Sequence, residues 1–145
     1  MSDGVHRLAI AVRWGDCDPA GIVFFPRFFV MFHEAMESWF GECLGAPYED
    51  VILRRKLGFP SVHTEADFRK TTRFGESVVV ELRVGHLGRT SMRLEYNIVG
   101  QAGDVRATGA TVCAVMDLDP DHDTFHRAVP LPDDLRDAIE HFRGV

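Results

Sequence analysis

Two carboxylates and a thiol stand at consecutive positions, Asp16, Cys17 and Asp18, inside the stretch GDCDPAGIVFFPRFF that runs from residue 15 to 29. Asp18-Pro19-Ala20-Gly21 has the chemistry of a β-turn. Proline pre-sets φ at the second position, glycine suits the fourth, and aspartate at the first hydrogen-bonds its own backbone. A turn alone would account for those four residues. The segment that follows adds a second reading, because residues 22 to 25 are apolar and Pro26 suits the first turn of a helix. Asp18 is thereby set beside an apolar wall and close to a helix N-terminus. Apolar surroundings strip water from a carboxylate and help it act as a base or nucleophile. Free N–H groups at a helix start, with the helix dipole behind them, can receive an oxyanion as it forms. A carboxylate beside such donors suits acyl transfer. The aspartate either attacks a thioester carbonyl to give a mixed anhydride or takes a proton from an attacking water. Both routes stay open at this level.

Asp16 would share the face of Asp18 if the preceding strand persisted, making a coupled pair; we read it instead as a residue that stabilises the turn. In extended geometry Cys17 points away from Asp18 and has no evident base, so it reads as a small buried thiol. The cysteines at 17, 43 and 113 form no CxxC pair and no His-paired zinc spacing, which predicts free thiols in a reducing compartment. The acidic run from Asp117 to Asp123 invites a calcium reading. It has His122 where an EF-hand loop needs its sixth-position glycine and Ala128 where it needs a bidentate Glu, so an exposed loop is expected. No metal site is assigned, and no glycine-rich phosphate cradle or G-x-S-x-G elbow is present.

These residues need elements to hold them. Leu8, Ile10 and Val12 alternate with small or charged residues, a period of two that predicts a half-buried strand ending at the Asp16–Asp18 stretch. Phe28, Met31, Phe32, Ala35, Met36, Trp39, Phe40 and Cys43 then recur at three- and four-residue steps, an amphipathic helix with a wide apolar face. A shorter helix is predicted from Tyr48 to Leu57. Val78, Val80, Leu82 and Val84, then Met92, Leu94, Tyr96 and Ile98, return to the two-residue period of antiparallel strands. Further strands are expected over about His63 to Lys70 and Val105 to Met116, with glycine turns between. Asp133 and Asp134 suit the first turn of a last helix over Pro132 to Arg143. A helix with so wide an apolar face must be wrapped, and one antiparallel sheet can curl around it. The fold class expected is α+β.

The 145 residues fit one domain, residues 1–145, with 46% hydrophobic and 26% charged residues, a balance that favours folding over disorder. A formal charge of −6 supplies no broad positive field, which argues against nucleic acid as a partner. No secretion signal or membrane-length apolar run is apparent, so no membrane partner and a cytoplasmic location are expected.

The run G-D-C-D-P-A-G-I-V-x-x-P, followed by an aromatic-rich helix, resembles the 4-hydroxybenzoyl-CoA thioesterase family of hotdog-fold proteins. Weaker echoes lie in Phe59-Pro60-Ser61-Val62 and Gly88-Arg89-Thr90-Ser91. The resemblance implies a hotdog fold, an antiparallel sheet curled around a long central helix. It implies Asp18 as the catalytic aspartate and the backbone amide of Phe25, where the family's 4-hydroxybenzoyl enzyme has tyrosine, as the group that polarises the carbonyl. His33 stands where that enzyme has an acidic residue recognising the substrate phenol. His63 would approach the acyl pocket, which Phe24, Phe25, Pro26, Phe28 and Phe59 would line. Arg89 and Ser91 match the side that holds the coenzyme A nucleotide, although Gly88 and Thr90 replace neighbouring cations there. The basic residues Arg69, Lys70 and Arg73 read as a solvated face.

The implied activity is hydrolysis of an aromatic acyl-CoA thioester to free acid and CoA. The alternatives are a thioesterase for aliphatic acyl-CoA or acyl-carrier protein, and a non-catalytic acyl-CoA binder. No cofactor is required, coenzyme A being part of the substrate. A lone curled sheet leaves edges that a homo-oligomer would cover, either a dimer or a dimer of dimers, with sites between subunits.

Overall fold

The computed structural model describes residues 3–144. Along the chain run β1 (His6–Ala11), a short 3-10 turn (Trp14–Asp16), α1 (Pro26–Glu42), α2 (Tyr48–Leu53), β2 (Leu57–Gly58), β3 (Ser61–Phe68), β4 (Ser77–Leu87), β5 (Ser91–Val99), β6 (Val105–Ala114), β7 (Met116–Asp117) and α3 (Asp133–Arg143). Five strands make one sheet in the order β1-β4-β5-β6-β3, every neighbouring pair antiparallel. Its inner face is built by alternation, with Val78, Val80, Leu82, Met92, Leu94, Tyr96 and Ile98 each at most 3% exposed. The sheet curls around α1, which buries Phe28, Met31, Phe32, Ala35, Met36, Trp39 and Phe40. This is the helix-in-sheet arrangement expected from the two periodicities, and it is the hotdog fold.

Gly109 of β6 lets the helix come close. A Cβ there would lie 2.5 Å from the Phe32 ring, and Phe32 uses the space to stack on Tyr96 with ring centroids 4.6 Å apart. At the far end of α1, Trp39 packs against Phe142 of α3. Among the described residues, no helix is long and apolar enough to cross a membrane.

Two boundaries differ from the periodic reading. α2 stops at Leu53, not Leu57, because Lys56 takes a left-handed φ of 55° and Leu57–Gly58 pairs with β7. The strand that begins at Val105 breaks at Val115, whose N–H donates to the Thr90 carbonyl while its own carbonyl accepts from Val129. Those two bonds leave the β6 ladder, and the chain resumes pairing as β7.

Candidate active site

The loop from β1 to α1 is organised around Asp16. Its Oδ1 accepts from Arg27 Nε at 3.1 Å and Nη2 at 2.9 Å, its Oδ2 accepts from the Arg13 N–H at 3.0 Å, and its carbonyl accepts the Phe24 N–H. One largely buried carboxylate therefore ties the loop's start to the first turn of α1. Asp16 does stabilise the turn, through a residue eleven positions away.

Asp18 lies inside the loop so fixed. Its carbonyl accepts the Gly21 N–H at 2.9 Å and its N–H donates to the Ile22 carbonyl at 3.0 Å. Gly21 takes φ +76°, a conformation open to glycine and strained for other residues. One carboxylate oxygen, Oδ1, accepts the Ala20 N–H at 2.8 Å; Oδ2 accepts no hydrogen bond among the described residues. The half-buried side chain is thus oriented by one oxygen and available through the other.

The start of α1 supplies the complementary group. The Arg27 N–H donates to the Phe24 carbonyl, the Phe28 N–H donates to the Phe25 carbonyl, and Pro26 has no N–H. Among the described residues the Phe25 N–H has no acceptor, so it is the open donor of that turn. Proline at the first helical position removes the competing donor beside it.

A cavity of about 480 Å³ adjoins this turn, lined by Ile22, Val23, Phe25, Phe28 and Phe68, with segment 69–72 along one side. The Phe68 ring contacts those of Phe25 at 5.8 Å and Phe28 at 5.6 Å. Segment 69–72 is held from below by Arg106, which donates to the Thr71 carbonyl and Thr72 Oγ1 and pairs with Glu76 and Asp104. The Arg106 hydrogen bond keeps the Glu76 carboxyl below its ordinary value. In turn the Thr72 carbonyl accepts the Val23 N–H at 2.8 Å, which seats the Asp18 loop on this segment. Chemically, a carboxylate with a free oxygen, an unused N–H and an aromatic cavity suit attack on a carbonyl carbon.

Residues 12–139 match the family model for the thioesterase-like superfamily. The chain belongs to that superfamily. It is 31% identical over 130 residues to a 1,4-dihydroxy-2-naphthoyl-CoA hydrolase of Synechococcus elongatus, covering 89% of this chain and 90% of that protein. A solved gentisyl-coenzyme A thioesterase superposes with TM-score 0.80 at 28% identity, covering 92% of this chain and 98% of that one. A 1,4-dihydroxy-2-naphthoyl-CoA thioesterase from Synechocystis gives TM-score 0.82 at 26% identity, over 94% and 96% of the two chains.

In this thioesterase-like chain Phe25 lines the larger cavity and Asp18 lies in the loop that leads to it, whereas other candidates from the sequence lie elsewhere. Phe24 is 50% exposed and touches Phe25 rather than the cavity. Phe59 is a core residue, 6% exposed and packed on Phe40 and Tyr48. His33 is half-exposed, 3.2 Å from Glu37, and lines a smaller cavity further along α1. Alternation on β3 turns His63 to the outer face, near Glu65, and turns Thr64 toward the helix. Arg89 and Ser91 flank the β4–β5 turn, whereas the Asp18 loop lies at the other end of β4; those 11 residues span about 33 Å.

The Cys17 thiol is pushed up by desolvation and by the charges of Asp16 and Asp18, which disfavours the thiolate a nucleophile needs. The acidic run is less exposed than expected: Asp117 is 5% exposed and holds the loop through the Asp119 N–H, His122 and Thr124. Phe68 and the Asp16–Arg27 pair were not singled out in the sequence. For Phe68 the signal was present, since it shares the inward phase of Thr64 and Ala66 on β3. The ion pair carries no local periodicity at all.

Proposed function

We propose that the protein hydrolyses an aromatic acyl-CoA thioester, with Asp18 as nucleophile or general base and the Phe25 N–H as donor to the thioester oxygen. The observation that carries this reading is the pairing of a half-free Asp18 carboxylate with the open N–H of the α1 start, beside a cavity lined by three phenylalanines. In the nucleophilic route Asp18 Oδ2 bonds to the acyl carbon, the C–S bond breaks, and the departing CoA thiolate takes up a proton. Water then cleaves the mixed anhydride and restores the carboxylate. In the general-base route Asp18 takes the proton of a water that attacks the same carbon, the C–S bond breaks as the adduct collapses, and the departing thiolate takes that proton back from Asp18. In both, negative charge grows on the carbonyl oxygen and the Phe25 N–H stabilises it. The aromatic cavity and the aromatic acyl groups named for the relatives support an aromatic substrate.

A dimer formed through β3 fits this chemistry. β3 is an edge strand of 8 residues, mostly exposed, with Val62 64% and Phe68 48% exposed. Antiparallel pairing with a second copy would bring one copy's Ser61 end, and the β4–β5 turn near it, toward the other's Phe68 cavity. Arg89 and Ser91 would then serve the neighbouring site, where an arginine suits the phosphates of coenzyme A.

The test is cleavage of a panel of aroyl-CoA thioesters, followed by free-thiol detection. Asp18→Asn is expected to lose about 10²–10⁴-fold in kcat while still binding a non-hydrolysable analogue. Equal turnover by the variant would remove Asp18 from its role, and binding without any cleavage by the natural protein would make it a binder.

A further inference from the structure

Gly100 begins the turn between β5 and β6, and there is no room for a side chain on it. A Cβ there would lie 2.6 Å from Asp104 Oδ1, 2.7 Å from Arg106 Nη2 and 2.8 Å from Arg106 Nε. The Arg106 side chain is 12% exposed and is not free to swing aside, because four acceptors hold it. Nε donates to Asp104 Oδ2 at 2.6 Å and Nη2 pairs with Glu76 Oε2 at 2.7 Å. Nη1 donates to the Thr71 carbonyl at 3.1 Å and to Thr72 Oγ1 at 3.3 Å. Hydrogen bonds between ionised groups are roughly twice as strong as neutral ones.

These bonds gather the segment from 69 to 76 at both ends. The Arg106 carbonyl accepts the Arg69 and Lys70 N–H groups at 2.9 and 3.2 Å. Glu76, held by the guanidinium, accepts the Arg73 N–H through Oε1 at 3.0 Å. The Asp18 loop rests on what is gathered. The Val23 N–H donates to the Thr72 carbonyl at 2.8 Å, the Phe74 N–H donates to the Gly21 carbonyl at 2.9 Å, and Ile22 pairs with Arg73 as an isolated bridge. Asp18 in turn donates its N–H to the Ile22 carbonyl. A short relay of hydrogen bonds thus runs from the Arg106 guanidinium through Thr72 and the 22–23 backbone to Asp18.

Arg106 does not line the cavity beside Phe25, whereas segment 69–72 does, so any effect of Arg106 on the reaction passes through that segment. We propose that Arg106 is a positioning residue for thioester cleavage: it fixes segment 69–72 and thereby sets how the Asp18 loop faces the Phe25 N–H. This rests on the reading of Asp18 and Phe25 as the hydrolytic pair. The Asp16–Arg27 pair ties the loop to α1 on one side, and Arg106 ties it to β6 on the other. Reacting groups need close alignment, and a misplacement of about 1 Å by a change far from the chemistry can cost about 100-fold in rate. Lysine would keep the charge at this position but not the planar fork that reaches two carboxylates, a carbonyl and a hydroxyl together.

The experiment measures kcat and KM for benzoyl-CoA and 4-hydroxybenzoyl-CoA, with melting temperatures, in the natural protein, Arg106→Gln, Arg106→Lys and Gly100→Ala. Ile139→Val is the control: it lowers the melting temperature from a fully buried position in α3, outside the site. In Arg106→Gln kcat is expected to fall about 10- to 100-fold with KM little changed. Part of that loss should return in Arg106→Lys, and Ile139→Val should keep the natural kcat. A natural kcat in Arg106→Gln, or a loss that Ile139→Val matches, overturns the proposal and leaves the hydrolytic reading intact. Should Arg106→Gln fail to fold, Gly100→Ala decides, because it displaces the guanidinium with every partner still present; a natural kcat there overturns the proposal. Should the natural protein cleave neither thioester, the hydrolytic reading falls and amide hydrogen exchange decides. Faster exchange of the Val23 and Phe74 N–H groups in Arg106→Gln, with the Tyr96 N–H of the central strand unchanged, then upholds the anchoring of the loop, and equal exchange removes it.

Discussion

In the proposed reaction Phe25 would act through its backbone: what matters is that Pro26 follows it and that, among the described residues, no carbonyl takes its N–H. The side chain lines the cavity, but the donor would survive its replacement. Asp16 is the residue whose loss would disturb that donor most, since it binds Arg27, the Arg13 N–H and the Phe24 N–H together. Replacing Asp16 by alanine removes charge-assisted hydrogen bonds and leaves backbone hydrogen bonds, such as Phe24 to Asp16 and Val23 to Thr72, to hold the loop. The expected cost is about 1–3 kcal/mol of stability and a fall in kcat larger than any change in KM, read by denaturant melts and steady-state kinetics. Turnover equal to that of the natural protein would show that the loop holds its shape without the ion pair.

The elements carry two further expectations. α1 approaches β6 closely because Gly109 has no side chain, and a methyl group there meets the Phe32 ring. Gly109→Ala should cost about 1–3 kcal/mol through overpacking, seen as a lower melting temperature; an unchanged one would mean that α1 shifts freely. The junction of β1 with the far half of α1 contains His6, 5% exposed. Its Nε2 lies 2.9 Å from Ser38 Oγ and its Nδ1 lies 3.4 Å from Cys43 Sγ, with Glu42 at 4.0 Å. Burial lowers the His6 pKa from its ordinary 6.5, against the opposing pull of Glu42. The unfolded chain therefore takes up this proton first as pH falls. The stability so linked is present above about pH 6.5 and is lost as pH drops through the lower folded value. His6→Gln should flatten the decline in melting temperature between pH 7.5 and 5; a slope as steep as before would clear His6 of that role.

At the scale of the whole molecule, the sheet closes around α1 but its β3 edge stays open, with Val62 presented to solvent. An unprotected edge of this kind invites a second copy. In the proposed β3-paired dimer Val62→Lys would place like charges near each other across the two-fold axis and should shift the mass measured by light scattering toward the monomer. Activity is expected to fall with it, because Arg89 and Ser91 are remote from Asp18 in one chain. A monomeric variant with full activity would show that each chain carries a complete site.

Much of this was legible in the residues. Period-two alternation marked β4 and β5, the wide apolar stripe marked α1, and Asp18-Pro19-Ala20-Gly21 before Pro26 marked the turn and the helix start, because each is a local preference written within a few positions. Pairings between distant segments were not legible. Only the folded chain places Phe68 of β3 against Phe25 and Phe28, Asp16 against Arg27, and Thr64, Tyr96 and Thr111 around one small cavity. It likewise turns His63 outward and buries Phe59 in the core. Local propensity depends on near neighbours in sequence, whereas a cavity depends on which strands pair and in what register, and only tertiary packing decides that.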